Sequence, residues 1–205
     1  MEDVLDLYAE PYDPARPLVG FDETSKQLVA ETRVPLPMEP GKPERIDYEY
    51  ERNGTANLFL LCQPLGGWRH VEVTDHRTKH DFALQMRALV DRHFPDATGI
   101  RVVLDNLNTH TPAALYEAFE PAEARRILKK LEFHYTPLHG SWLNMAELEF
   151  SMLSRQCLGR RIPDRATLET EVAAWETARN EQHATIHWQF TVEDARTKLH
   201  RLYPS

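Results

Sequence analysis

The chain has little cysteine, no long apolar run and no excess of positive charge, and each shortage excludes a class of protein. Its two cysteines are Cys62 in an apolar run and Cys157 in a helical pattern, neither with a partner at metal-ligand spacing. That excludes a disulfide scaffold or a zinc module and leaves two small core residues in a reducing compartment. No stretch approaches the roughly 18 apolar residues that cross a bilayer, and the opening MEDVLDLYAEPYD carries neither a basic leader nor an apolar segment. No membrane partner is therefore expected, and a cytoplasmic location is. With 32 acidic against 24 basic residues the formal net charge is −8, which argues against bulk attraction to phosphate backbones as the main work. Two local basic clusters stand out: Arg125, Arg126, Lys129 and Lys130 in one expected helix, and Arg155, Arg160 and Arg161 after another. Solvated helix faces explain each of them equally well.

What is present is an ordinary globular composition, 41% hydrophobic and 27% charged over 205 residues, enough for one substantial core. The first strand is expected in RPLVGFDE, with Asp22 at its downstream end. Four prolines between Val34 and Pro43 exclude regular helix or central strand, so this stretch is an extended surface excursion. A short strand is expected over Ile46 to Tyr50 and a turn at Asn53-Gly54. The apolar ANLFLLCQ, the turn PLGG and the alternating WRHVEVT then form a hairpin. Thr78 is placed to cap a helix that Pro95 closes. The run Ile100 to Leu104 is a second β-branched strand, and it too delivers an aspartate, Asp105, to a loop. Helices are expected over Pro112 to Phe119, Ala122 to Lys130, Ser141 to Leu158, Thr167 to Gln182 and Val192 to Leu202, with a strand at LEFHY. The order describes a mixed sheet with helices packed on it.

Two buried-looking strands that each end in an aspartate matter because ligands gather at the carboxyl ends of strands in open α/β sheets. Either aspartate alone is as well explained as a turn former. Together with a glutamate presented by a helix they suggest three converging carboxylates, which would repel one another unless a cation sat between them. Oxygen ligands without Cys or His suit Mg²⁺ or Mn²⁺.

The words FDETSK, VLDNLNTH and YTPLHGSWLNMAELEFSML resemble the catalytic domain of bacterial transposases of the insertion sequence 630 group, relatives of the mariner transposons, from Leu18 to the C-terminus. The resemblance implies an α/β, ribonuclease-H-like fold, a mixed five-stranded sheet with helices on both faces, and a DDE triad holding two Mg²⁺ or Mn²⁺ ions. Carried over by position, the catalytic and metal-binding triad is Asp22, Asp105 and Glu147, with 41 residues between the last two. The implied activity is cleavage at transposon ends and transfer of the freed 3′ hydroxyl into target DNA at TA dinucleotides. The implied partners are terminal inverted repeats, target DNA and a second copy of the chain as a homodimer. Residues 1–17 are expected as a linker or arm and 18–205 as the catalytic domain, without the family's N-terminal helix-turn-helix module. A truncated, non-catalytic fragment that binds DNA or dimerises as a regulator is the alternative.

Helix geometry bears on the triad independently. Residues two apart in a helix point to nearly opposite faces, so Glu147 and Glu149 cannot share one task. Asn144, Glu147, Ser151 and Ser154 line one polar stripe, which favours Glu147, whereas Glu149 is expected at a boundary with its carboxylate in solvent. Several residues have two readings. Asn106 and His110 belong to the DNxxxH word, and His110 either orients a carboxylate, approaches the scissile phosphate or makes a structural loop hydrogen bond. His139, Ser141 and Asn144 precede or flank the third ligand and either contact DNA or shape the turn, with Ser141 as the expected helix cap. Trp142 is expected in the core, with stacking on DNA as the other reading. Lys26 either neutralises phosphate or stands exposed.

Overall fold

The computed structural model describes residues 1–43, 45 and 47–203. Five strands form one sheet in the order β3-β2-β1-β4-β5: β1 Leu18–Glu31, β2 Tyr50–Gln63, β3 Trp68–Thr74, β4 Ile100–Leu104 and β5 Leu131–Tyr135. β1 runs antiparallel to β2 and parallel to β4, β2 pairs antiparallel with β3, and β4 parallel with β5. This is the mixed, ribonuclease-H-like sheet implied by the resemblance. Seven α-helices accompany it among the described residues: α1 Glu2–Ala9, α2 Lys79–Ala88, α3 Pro112–Ala118, α4 Pro121–Leu128, α5 Met145–Leu153, α6 Arg165–Glu181 and α7 Val192–Lys198. None of them is long and apolar enough to cross a membrane.

The unbroken apolar run in β2 follows from covering both faces of a central strand. Phe59 and Leu61 join Val19 and Phe21 in a core closed by Phe82 and Met86 of α2, Leu115 of α3 and Ile127 of α4. Leu58, Leu60 and Cys62 point the other way, to Met145, Ala146, Phe150 and Leu153 of α5 and to Leu168, Val172 and Trp175 of α6. Both cysteines are buried and free, as their spacing implied. Thr78 and Asp81 close a reciprocal capping box on α2.

Three local expectations fail. β1 runs nine residues past Asp22, because the chain finds a partner in β2 all the way to Glu31. Asn53 and Gly54 are consequently not a hairpin turn. They stand opposite the single Leu28, with Gly54 at φ 89°, and make a β-bulge within β2. Of the short strand expected over Ile46 to Tyr50, Ile46 lies outside the described residues, Asp47 to Glu49 are irregular, and Tyr50 opens β2. Residues 1–17 are more than a linker: Val4, Leu5 and Leu7 of α1 are buried with Leu18, Val103, Leu143 and Ala195 of α7. An apolar face at helical spacing gives this segment its reason to dock.

Candidate active site

Asp22 and Asp105 come together because their strands are parallel neighbours. The ladder aligns Leu18 with Arg101, Val19 with Val102 and Gly20 with Val103, and two further positions along the same register set Asp22 level with Asp105. Alternation along β1 sends Phe21 into the α2 face and leaves Gly20 and Asp22 toward α5. Gly20 is small for a reason. A Cβ there would stand 3.1 Å from the Ala146 backbone nitrogen, 3.1 Å from Asn144 Oδ1 and 3.3 Å from Cys62 Sγ, so a side chain at this position would press the first turn of α5 away by a few tenths of an ångström.

Asn144 welds that contact. It is the N-cap of α5, its Oδ1 accepting from Ala146 N at 3.1 Å, while its Nδ2 donates to the Phe21 carbonyl at 2.7 Å. One fully buried amide thus ties the helix that carries Glu147 to the strand that carries Asp22. The expected cap, Ser141, instead opens a separate 3-10 turn, Ser141–Leu143, because Asn144 is the residue with an extended backbone immediately before the helical hydrogen bonds. From below, the Tyr8 hydroxyl of α1 donates to the Leu143 carbonyl at 2.6 Å and holds the same loop.

Glu147, in the first turn of α5, is exposed, and its charge reaches Asp22. Burial pushes the Asp22 carboxyl up, the Glu23 backbone N–H opposes this by donating to Oδ1 at 2.9 Å, and the charges of Glu147, Glu23 and Asp105 add to the rise, to about 7. An uncompensated acid surrounded by three others is a site whose chemistry fits a hard cation. Among the described residues, no three His, Cys, Asp or Glu side chains are gathered closely enough to ligate one ion.

His110 is buried against Asp105. Its Nδ1 lies 2.6 Å from Asp105 Oδ1 and its Nε2 lies 2.8 Å from Glu23 Oε2. The Glu23 contact is a close charge contact without the alignment of a directed hydrogen bond. Burial disfavours a charged imidazole here, but the Asp105 hydrogen bond and the Glu23 contact outweigh it and raise the pKa to about 9. Of the three readings of His110, carboxylate orientation is the one its geometry supports. Asn106, His139 and Ser141 are exposed on the loops around the site, His139 with a left-handed backbone at φ 61°.

Glu149 does not reach solvent. It is 1% exposed, and its Oε1 accepts from Arg69 Nη2 and from Arg179 Nη2, each at 2.9 Å. Arg69 at the start of β3 is itself fully buried and also donates to the carbonyls of Gly67, Arg179 and Ala184. Arg69 of β3 and Arg179 of α6 close over the side of α5 that the sequence left open, which is why a residue two positions from Glu147 faces protein rather than water. Trp142 is likewise not in the core: it is 42% exposed, stacked on Trp188 at 6.2 Å and edge-on to Phe190 at 5.6 Å. Lys26 donates to the Leu158 and Arg160 carbonyls. Three of the seven residues in the basic clusters have acidic partners, Arg126 with Asp91 and Glu123, Arg160 with Glu171 and Arg161 with Glu31.

Sequence reasoning missed Glu23, Arg69 and Arg179. For the first two a signal existed: Glu23 shares the face of Phe21, and Arg69 shares the face of Val71 and Val73, so alternation marks both as inward-pointing. Arg179 carried one as well, since it continues the spacing of Leu168, Val172 and Trp175 along the buried face of α6.

Comparison with known proteins follows the same lines. A family model described as DDE superfamily endonuclease matches residues 17–169, which include all three carboxylates. No curated protein matches the chain by sequence. Among solved structures, the Mos1 mariner paired end complex with Mn is similar at a TM-score of 0.59 and 16% identity, over 89% of this chain and 55% of that one. The Mos1 strand transfer complex gives the same TM-score and identity, over 89% and 53%. The Mos1 paired-end complex with left transposon end gives 0.58 and 17%, over 89% and 55%. At these identities the likeness is one of fold, and the chain spans about half the length of the structures it matches.

Proposed function

The chain belongs to the DDE superfamily of endonucleases, and from that premise we propose that residues 18–205 are the catalytic domain of a DNA transposase, with Asp22, Asp105 and Glu147 as its metal-binding and catalytic carboxylates. The observation that carries this reading is the position of Asp22: an acid at a strand end, level with Asp105, under the first turn of the helix bearing Glu147, and charge-coupled to both. Two Mg²⁺ or Mn²⁺ ions, when bound, supply Lewis acidity to the attacking and leaving oxygens of phosphoryl transfer.

The chain's own residues have distinct tasks. Asp22 and Asp105 offer oxygens from the rigid ends of β1 and β4, and Glu147 offers its own from a helix that Gly20 and Asn144 hold against β1. His110 keeps Asp105 from rotating into the loop that follows it. The substrate is DNA at terminal inverted repeats, and the reaction is strand cleavage followed by attack of the freed 3′ hydroxyl on target DNA at TA. The Mos1 structures are a paired end complex with Mn, a strand transfer complex and a paired-end complex with left transposon end, and these descriptions support the same assignments here. A homodimer is the proposed working form.

The test supplies pre-cleaved terminal-repeat duplexes with free 3′ hydroxyls, a supercoiled target plasmid and Mn²⁺. Joined products flanked by duplicated TA support the proposal. Cleavage of RNA in hybrids with no joining of DNA would assign the site to a ribonuclease instead.

A further inference from the structure

Glu23 directly follows the first carboxylate of the site but faces the other way. Asp22 lies on the α5 side of β1, whereas Glu23 follows Phe21 onto the α2 side, so the two cannot share an ion. The Glu23 side chain is 3% exposed, a costly place for an acid unless something there needs it. Its neighbour is His110, 1% exposed, whose ring is boxed edge-on by Phe21 at 5.2 Å and tilted against Phe82 at 5.1 Å. The backbone of His110 is pinned as well, its N–H donating to the Leu107 carbonyl at 3.0 Å and its carbonyl accepting from the Tyr135 hydroxyl at 2.8 Å. The ring therefore has one orientation, with Nε2 toward Glu23 and Nδ1 toward Asp105. Asp105 has no such support from its own segment, since it leaves β4 into the loop that runs to His110.

We infer that Glu23 is a positioning residue that acts through His110 to fix the carboxylate of Asp105. This rests on the reading of Asp105 as a metal ligand. A ring nitrogen 2.6 Å from an ionised carboxylate oxygen bonds to it as the N–H donor, and the Glu23 oxygen 2.8 Å from the other ring nitrogen, a charge contact, disfavours turning that N–H away. The series Glu23, His110, Asp105 crosses from the α2 core to the active-site edge, so an oxygen of the site is held by a group on the opposite face of the sheet. Of the two oxygens of Asp105, Oδ1 carries the hydrogen bond with His110, which fixes the plane in which both oxygens are offered to the site.

The experiment uses the full chain and two readouts. In proton NMR of the metal-free wild type, the Nδ1–H proton of His110 should be observable, downfield and slow to exchange, and should disappear in Asp105→Asn. In Glu23→Leu, which replaces a buried acid by an apolar side chain of similar size beside Phe21 and Phe82, this signal should be lost and Mn²⁺ affinity, read by electron paramagnetic resonance, should fall by about tenfold or more. Glu23→Gln, which keeps the shape and an oxygen beside Nε2 but not the charge, should recover the Nδ1 signal and bring Mn²⁺ affinity between that of Glu23→Leu and wild type. A wild type without the Nδ1 signal overturns the inference, whether or not the variants fold. So does a folded Glu23→Leu with unchanged Mn²⁺ affinity. A wild type that shows the Nδ1 signal but binds no Mn²⁺ would overturn the metal reading of the site while leaving the hold of Glu23 on Asp105 standing.

Discussion

Replacing Asp22 with asparagine should make the metal-free protein more stable, by an amount that grows with pH. The folded protein holds the Asp22 carboxyl at about 7 against an ordinary 3.8, chiefly through burial, with the neighbouring acids adding to it. Between those values the folded state binds a proton that the unfolded chain has released, so stability falls as pH rises. The penalty is absent below about pH 4 and complete above about pH 7. Over that span it amounts to at most about 4 kcal/mol. Partial access of the carboxyl to water screens it, and about 2 kcal/mol is the working expectation. The amide introduced by Asp22→Asn carries no charge to penalise and still accepts the Glu23 N–H. For a chain of this size the gain corresponds to a melting temperature higher by about 4–8 °C at pH 8, shrinking to less than half of that at pH 5. The assay is thermal melting in chelator at the two pH values, repeated with Mn²⁺, which should stabilise the wild type and not the variant. Equal melting temperatures at pH 8, or a gap wider at pH 5 than at pH 8, would refute the reasoning.

Other outcomes follow from the same geometry. Glu149→Gln should lower stability by about 3 kcal/mol, since it leaves Arg69 and Arg179 facing each other without their anion, and chemical denaturation measures this directly. Gly20→Ala should cost about 1–2 kcal/mol and displace α5 from β1, detectable as lost stability together with weakened Mn²⁺ binding. Asn144→Ala should cost about 1 kcal/mol or more by removing both the cap and the bridge to Phe21, again with Mn²⁺ affinity falling in step. Binding of this chain to terminal-repeat duplex should stand within about threefold of random duplex in a fluorescence titration, because phosphate contacts carry no sequence information and most of its arginines are already paired.

The sequence made the site more legible than the frame around it. Strand ends and helical spacing are local properties, and they made Asp22, Asp105 and Glu147 candidates, which the resemblance to the transposase family then joined into a triad. Asn144 carried a local signal too, an N-cap residue ahead of MAELEF, although Ser141 drew the assignment. What remained hidden depended on partners far along the chain. The fate of Glu149 is decided by Arg69, 80 residues earlier, and by Arg179, 30 residues later, and neither pairing leaves a mark near the glutamate. The length of β1 depends on β2 extending beside it, and the bulge at Asn53-Gly54 mimics the composition of a hairpin turn. α1 is too short to declare itself by propensity and exists by docking on Leu18, Val103 and Ala195.

The proposed site stands or falls on Glu147 rather than Glu149 being the third carboxylate. The deciding measurement is single-turnover, Mn²⁺-dependent strand cleavage of a terminal-repeat duplex at protein excess, comparing wild type, Glu147→Gln and Glu149→Gln and normalising each rate to the folded fraction. Glu147→Gln should keep its fold and lose at least about a hundredfold in rate, a barrier increase of about 3 kcal/mol. Glu149→Gln, weakened in stability, should cleave within about tenfold of wild type per folded molecule. A Glu147→Gln variant that cleaves at the wild-type rate, beside a folded and inactive Glu149→Gln, would contradict the assignment and the active site built on it.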